Sequence, residues 1–286
     1  DQGKLDEAVA SYHKALTIKP EFVDALFNLH ATRYGSTDLE PAARCLEEAA
    51  KIAPGHRKVQ FFLGMIRDYQ GRTEQAKNNF RDLRDGTDEI DALLDSWHYI
   101  KSSSTKLPRH FGHTPEGLRL GIEAAQTDGL VMEFGVRFGT SIRHLSTLAG
   151  QDVHGFDSFQ GLPEAWHNNP KGAYTTHGIL PEVPENVHLH VGLFEETLPS
   201  FLKEHTDPIR FVNVDCDLYS STATVLDLLG DRIVSGTVIV FDEYFVNPNW
   251  REDEFKAFQE AVEKFSWQYD YLAASLITKQ AIVLIR

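Results

Sequence analysis

Two hydrophobic rhythms divide the chain. From about residue 116 onward, short apolar runs alternate with segments whose apolar positions recur at helical spacing. The runs predict strands over 130–134, 153–156, 187–191, 209–214, 237–241, 269–273 and 281–285. Between them the pattern predicts helices over 115–127, 140–149, 195–204, 221–230 and 252–265; the first of these carries Leu118, Leu120, Ile122 and Ala125. Strand–helix units in succession imply a doubly wound α/β arrangement, a mostly parallel seven-stranded sheet with right-handed crossovers. One polar excursion, 158–186, interrupts it and holds Gly161, Pro163, Trp166, Pro170, Tyr174, His177 and Pro181.

The first 88 residues follow a different rhythm, an all-α pattern repeating every 34 residues. Ala8, Ala42 and Ala76 keep that spacing, as do Tyr12, Leu46 and Phe80, the pair Pro20 and Pro54, and the pair Ala15 and Ala49. Gly3 and Gly71 mark one turn two periods apart. Small residues let helices cross closely, and proline cannot continue the helix it follows. This spacing resembles tetratricopeptide repeats. Helices are expected over 4–18, 21–34, 38–52, 56–70 and 73–84, with Asp85-Gly86 as a stop and Asp88 in the proline position of the last repeat. The chain begins inside a repeat and is expected to continue upstream. The expected domains are therefore a repeat domain over 1–88, a connecting helix and linker over 89–115, and an α/β domain over 116–286. Within the joint, 90–100 reads as a helix and 101–115 as a polar loop. His110, Phe111 and His113 in that loop suggest a lid.

Charge narrows the function. The formal net charge is −14. Nucleic-acid binding draws on clustered Lys and Arg, so a nucleic-acid partner is not expected. Cys45 and Cys216 have no metal-ligand spacing, which favours a reducing compartment. No apolar run reaches the ~18 residues of a membrane span. With no signal-peptide pattern, a cytoplasmic protein without membrane contact is the expectation.

The candidate chemistry lies at the strand ends. Glu133, Asp157, Asp215 and the pair Asp242-Glu243 each close an apolar run. In an open α/β sheet these ends share one edge, where ligands bind. A single Asp there reads as a helix cap. Five acids at four ends face mutual repulsion, which a metal, a cationic ligand or both would relieve. After 130–134 comes a glycine turn, Gly135 to Gly139, and a helix start at Thr140 and Ser141, where backbone N–H groups suit an anion.

The stretches E-F-G-V-R-F-G-T-S-I, G-F-D-S-F-Q-G-L-P-E-A-W, G-L-F-E-E-T-L-P, V-D-C-D-L-Y-S-S-T and V-F-D-E-Y resemble class I S-adenosylmethionine-dependent methyltransferases, and more closely the macrocin O-methyltransferase-like family. The resemblance implies a Rossmann-like fold and an O-methyltransferase acting on a hydroxyl of a sugar-containing or other small-molecule acceptor. It implies that Glu133, Gly135, Gly139, Thr140 and Ser141 hold the methionine end of the donor, Asp157 its ribose, and Ser158, Gly192 and Phe194 the adenine. It implies Mg²⁺ on Asp215, Asp242 and Glu243, with Asp215 also taking the proton; the family's pair after the fifth strand is often Asp-Asp. His144 reads as structural, and His113, His177 and Tyr219 as further candidates for substrate contact. The repeats would recruit a protein partner. Two other readings compete. One is a non-catalytic repeat scaffold with a donor-binding sensor domain. The other is a nicotinamide-dependent oxidoreductase, disfavoured by Glu133 beside the turn and by the spacing G-x-x-x-G.

Overall fold

The computed structural model describes residues 5–34, 38–81, 83, 88–104 and 106–286. Gly3 and Asp85-Gly86 lie outside the described residues. The chain gathers into two units. One is Asp1–His113 with Phe245–Pro248 and Ala273–Lys279; the other is Thr114–Tyr244 with Asn249–Leu272 and Gln280–Arg286.

In the first unit, α1 (Leu5–Ile18), α2 (Val23–Ala31), α3 (Glu40–Ile52), α4 (Arg57–Tyr69), α5 (Thr73–Phe80) and α6 (Asp88–Ser103) follow one another. The positions spaced at 34 residues face inward where their helices are sandwiched: Ala42, Leu46, Ala49 and Ala76 are buried. Their small or branched side chains admit the bulk of α4, whose Val59, Phe61, Phe62, Leu63, Met65 and Ile66 are buried as well. Arg67 ties α4 to both neighbours, donating to Asn79 at 2.7 Å and to Glu47 at 3.1 Å. By contrast α1 buries none of its residues.

The expected loop over 101–115 is partly ordered. Helix α6 runs to Ser103, and a two-residue strand β1 (Arg109–His110) pairs in parallel with Ala273 and Ala274. His110 and Phe111 are buried inside this unit, with His110 edge-on to Tyr69, which removes them from any lid. An apolar Phe111 and an imidazole that can bond the Ala274 carbonyl drive this segment inward.

The second unit is the α/β domain. It runs α7 (Thr114–Ala124), β2 (Leu130–Phe134), α8 (Thr140–Ala149), β3 (Val153–Asp157), β4 (Val187–Val191), α9 (Phe194–Glu204), β5 (Ile209–Val214), α10 (Tyr219–Leu229), β6 (Val238–Phe241), α11 (Glu254–Phe265), β7 (Tyr269–Ala274) and β8 (Ala281–Ile285). The strand order is β1-β7-β8-β6-β5-β2-β3-β4, eight strands, the seven expected plus β1. The β2, β3, β4, β5 and β6 pairings are parallel, and β8 runs antiparallel to β6. This is a Rossmann-like fold. Every residue of β2, β6 and β8 is buried, as a strand covered by helices on both faces demands. The edge strand β4 is only partly covered, and tolerates His188 and His190. From β2 the chain winds outward through β3 and β4, then returns to start β5 on the other side of β2. The switch point lies between β2 and β5, the place where the strand ends open a crevice.

Two imidazoles in the helical unit make it acid-sensitive. The Nε2 atoms of His30 and His110 are buried and find no partner among the described residues. Burial lowers each from 6.5 to about 4, partly offset by a bond to the Phe27 and Ala274 carbonyls respectively. The unfolded chain therefore binds the proton more readily than the fold. Stability is full above about pH 6.5 and falls as the pH drops toward 4. Each group costs on the order of 2 kcal/mol at pH 5. Thermal unfolding at pH 7 and pH 5 should show a drop in midpoint that His30→Leu reduces by several degrees.

Candidate functional site

The sheet's backbone ladder continues past the strands, and this sets the site. Gly135 N donates to the Phe156 carbonyl at 3.0 Å, Asp215 N to Phe134 at 2.8 Å, Asp242 N to Val214 at 2.9 Å, and Gly192 N to Asp157 at 3.1 Å. The residues after β2, β4, β5 and β6 are thus fixed in register with their neighbours, and the acids stand along one rim. Gly135 has φ +93°, and a Cβ there would lie 1.7 Å from the Asp215 carbonyl oxygen. Only glycine lets the two chains approach so closely at this turn.

A cavity of about 570 Å³ opens on this rim. Gly135, Thr140, Ser141, Asp157, Ser158, Gly192, Phe194, Asp215, Asp242 and Glu243 all line it. Two of the expected site residues do not. Gly139 sits behind the lining as the N-cap of α8, with φ +72°. Glu133 is wholly buried beneath the turn. It accepts from the Ser141 hydroxyl at 2.9 Å and from the Asn213 amide at 3.1 Å, tying the first turn of α8 to β5. Burial pushes its carboxyl up to about 8, with the charges of Asp242 and Asp157 adding to the rise and the two hydrogen bonds opposing it.

Asp157 organises the glycine turn. Its Oδ2 accepts the N–H groups of Val136 at 2.8 Å and Arg137 at 2.7 Å, and its Oδ1 accepts that of Phe159 at 2.7 Å. Three of roughly four acceptor positions on the carboxylate are used, which leaves room for one hydroxyl donor. Arg137 holds φ +48°, a conformation that its bond to Asp157 sustains. The first turn of α8 has no side-chain cap, which leaves its N–H groups open to an anion, and Thr140 and Ser141 of that turn line the cavity. Across the cavity, Phe194 packs edge-on against Phe134, with ring centroids 5.3 Å apart.

Asp215 and Asp242 line the cavity wall together, and the charge of Asp242 bears on Asp215. Both are raised. For Asp215 the causes are burial first, then the charges of Asp242 and Glu133; for Asp242, which rises to about 7, they are burial, then Glu243 and Asp217. Interacting carboxyls lose their protons as a pair rather than singly. Gln280, for which the sequence offered no signal, donates to Asp242 Oδ1 at 2.5 Å. Glu254, also missed, is fully buried and accepts the Glu243 N–H at 3.1 Å.

The expected magnesium triad is not assembled in this arrangement. Asp215, Asp242 and Glu243 share the cavity, yet among the described residues no three His, Cys, Asp or Glu side chains are grouped as an ion requires. Gln280 takes up an oxygen of Asp242 that would otherwise turn toward a cation. Other residues named from the sequence lie outside the cavity wall, among them His144, which was expected to be structural. Tyr219 donates to Glu260 at 2.6 Å, His144 bonds the Pro115 carbonyl at 3.3 Å, and neither side chain lines the cavity. His177 is outside the lining as well. Glu164, which the sequence did not single out, accepts from Ser220 at 2.6 Å in the cavity wall, where Asp217 also stands.

Residues 132–244 match the family model of a methyltransferase domain, and residues 1–36 match that of a TPR repeat. No curated protein matches the chain. Among solved structures, the calicheamicin methyltransferase CalS11 is 20% identical, covering 87% of this chain and 93% of its own, with a TM-score of 0.48. The O-methyltransferase NovP is 20% identical, covering 59% of this chain and 78% of its own, with a TM-score of 0.45. An O-methyltransferase from Bacillus cereus, in complex with SAH, is 15% identical over 68% of this chain and 90% of its own, with a TM-score of 0.40. The chain carries a methyltransferase domain. Among the described residues no helix is long and apolar enough to cross a membrane.

The anchoring role of Glu133 is open to test. Its folded value of about 8 lies above the unfolded 4.5, so the stability it withholds grows as pH rises from 4.5 toward 8. In Glu133→Gln the amide keeps both bonds, because Asn213 can turn its Oδ1, which has no partner among the described residues, toward the new donor. The ligand-free variant should melt at least as high as the parent at pH 8, and Glu133→Ala several degrees lower.

Proposed function

We propose that this protein is an S-adenosylmethionine-dependent O-methyltransferase that alkylates a hydroxyl of a small-molecule or sugar-containing acceptor. One observation carries the reading: an acidic cavity at the sheet's switch point, walled on one side by a glycine turn and a helix N-terminus and on the other by carboxyls. S-adenosylmethionine supplies an electrophilic methyl group on a cationic sulfur, together with an ammonium, a carboxylate and a ribose diol. Each matches something in the wall. The N–H groups at the start of α8 suit the carboxylate. The remaining acceptor position of Asp157 suits a ribose hydroxyl. The carboxyl rim favours positive charge, which its own repulsion makes costly to leave uncompensated.

The chemistry then falls to the Asp215–Asp242 pair. An acceptor hydroxyl brought to the rim needs a base only as the new C–O bond forms. Once the pair has lost a proton, Asp215 takes the hydroxyl proton, while Gln280 holds Asp242 in place. The buried Glu133 keeps the first turn of α8 at a fixed distance from β5, and so keeps donor and base in alignment. The carboxylates do not fit magnesium as arranged, and no step here runs through a metal. The helical unit, with its TPR match, is suited to recruiting a protein partner.

Calorimetric titration with S-adenosylhomocysteine tests the donor site: saturable binding is expected, and no binding up to millimolar ligand contradicts the reading. Asp215→Asn should lower turnover by at least about 100-fold, the usual scale for losing a general base, while donor affinity stays within about threefold. Because the pair must lose its proton, kcat/KM should rise as pH increases through about 7. A flat profile between pH 6 and 8 would contradict the base assignment.

A further inference from the structure

A second cavity of about 490 Å³ adjoins the first and shares two wall residues with it, Arg137 and Phe138. Its chemistry is the opposite of the rim's. Arg143 joins Arg137 there, against the single acid Glu182. In a chain with net charge −14 this is a local excess of positive charge. The wall is also strongly apolar at its exposed parts. Phe138 is 58% exposed, Ile179 72% and Leu180 48%. Scattered exposed apolar residues need no explanation, but three around one cavity, with Tyr174 beside them, mark a surface built to be covered.

The arginines are held rather than loose. The Arg137 guanidinium lies 4.8 Å from the Phe138 ring centroid and 5.0 Å from that of Tyr174. Its backbone is fixed by Asp157, the acid that also shapes the donor cavity. Arg143 donates one Nη1 bond to the Glu182 backbone carbonyl at 3.0 Å, leaving its other donors for a ligand. Planar guanidinium forks of this kind match carboxylate and phosphate oxygens.

We propose that this second cavity is an acceptor subsite, taking a hydroxylated molecule whose apolar part covers Phe138, Ile179 and Leu180 and whose carboxylate or phosphate meets Arg137 and Arg143. The subsite rests on the methyltransferase reading for its meaning, since it places the acceptor hydroxyl across Arg137 from the carboxyl pair. Its binding chemistry can be measured without turnover.

The experiment uses three fluorescent probes of one shape, neutral 2-naphthol, 2-naphthoate and 2-naphthyl phosphate, titrated into the full chain with and without S-adenosylhomocysteine. At least one anion should bind at least about fivefold tighter than 2-naphthol, the scale of one charged hydrogen bond at a partly exposed site. The stronger of the two anions identifies the group. Arg143→Met should abolish that preference and leave 2-naphthol and S-adenosylhomocysteine affinities within twofold. Arg143→Lys should retain part of it, which separates charge recognition from packing. Equal binding of all three probes, or equal weakening of all three in Arg143→Met, overturns the subsite. Loss of S-adenosylhomocysteine binding in Arg143→Met overturns it too, since the arginine would then serve the donor. If the parent protein binds no S-adenosylhomocysteine while the anion preference stands, the methyltransferase reading fails and the anion subsite survives.

Discussion

Like charges brought together on one edge of a parallel sheet are the constraint on which the rest of the α/β domain depends. Glu133, Asp157, Asp215, Asp242 and Glu243 are not free to spread apart, because the ladder bonds beyond each strand fix their backbones in register. The fold answers the repulsion differently at each acid. Asp157 is satisfied by three backbone amides. Glu133 is buried and drawn toward its neutral form. Asp215 and Asp242 are drawn toward their protonated forms, chiefly by burial. What is left over is an electronegative rim that a cationic ligand stabilises, beside a helix start that receives an anion. A zwitterionic, positively charged methyl donor matches both ends of this arrangement.

The topology was legible in the sequence because a strand covered on both faces must be apolar throughout, and 130–134, 238–241 and 281–285 read that way. The rim was legible for a related reason: a carboxylate directly after such a run has nowhere to point but the edge. What the sequence could not reveal was which oxygen meets which donor. Glu133 looks like a ligand contact from its position, yet alternation along β2 turns it into the core, where Ser141 and Asn213 claim it. The magnesium triad is a second such case: among the described residues its three carboxyls are not grouped as an ion requires. Spacing brings Asp215 and Asp242 to one place but does not decide whether they face an ion or each other. Gln280 lies 38 residues from the acid it bonds, at the start of the antiparallel strand, and no local pattern marks it.

The helical unit was readable where two helices enclose a third. Ala42, Leu46 and Ala49 keep the 34-residue spacing because any larger side chain would separate α3 from its neighbours. The stretch over 101–115 was misjudged from its serines and prolines. Composition marked it as a loop, but His110 and Phe111 each gain more from burial than the loop gains from hydration, and β1 supplies the backbone partners that burial requires.

The central claim is that positive charge on the donor is welcomed by a rim whose buried carboxyls are drawn toward their protonated forms. It is tested most directly by calorimetric binding of S-adenosylmethionine and of uncharged-sulfur S-adenosylhomocysteine at pH 7, each in two buffers of different ionisation enthalpy. The cationic donor should release a substantial fraction of a proton from the Asp215–Asp242 pair, and the neutral product markedly less. Equal proton release by the two ligands, or none by either, would contradict the account.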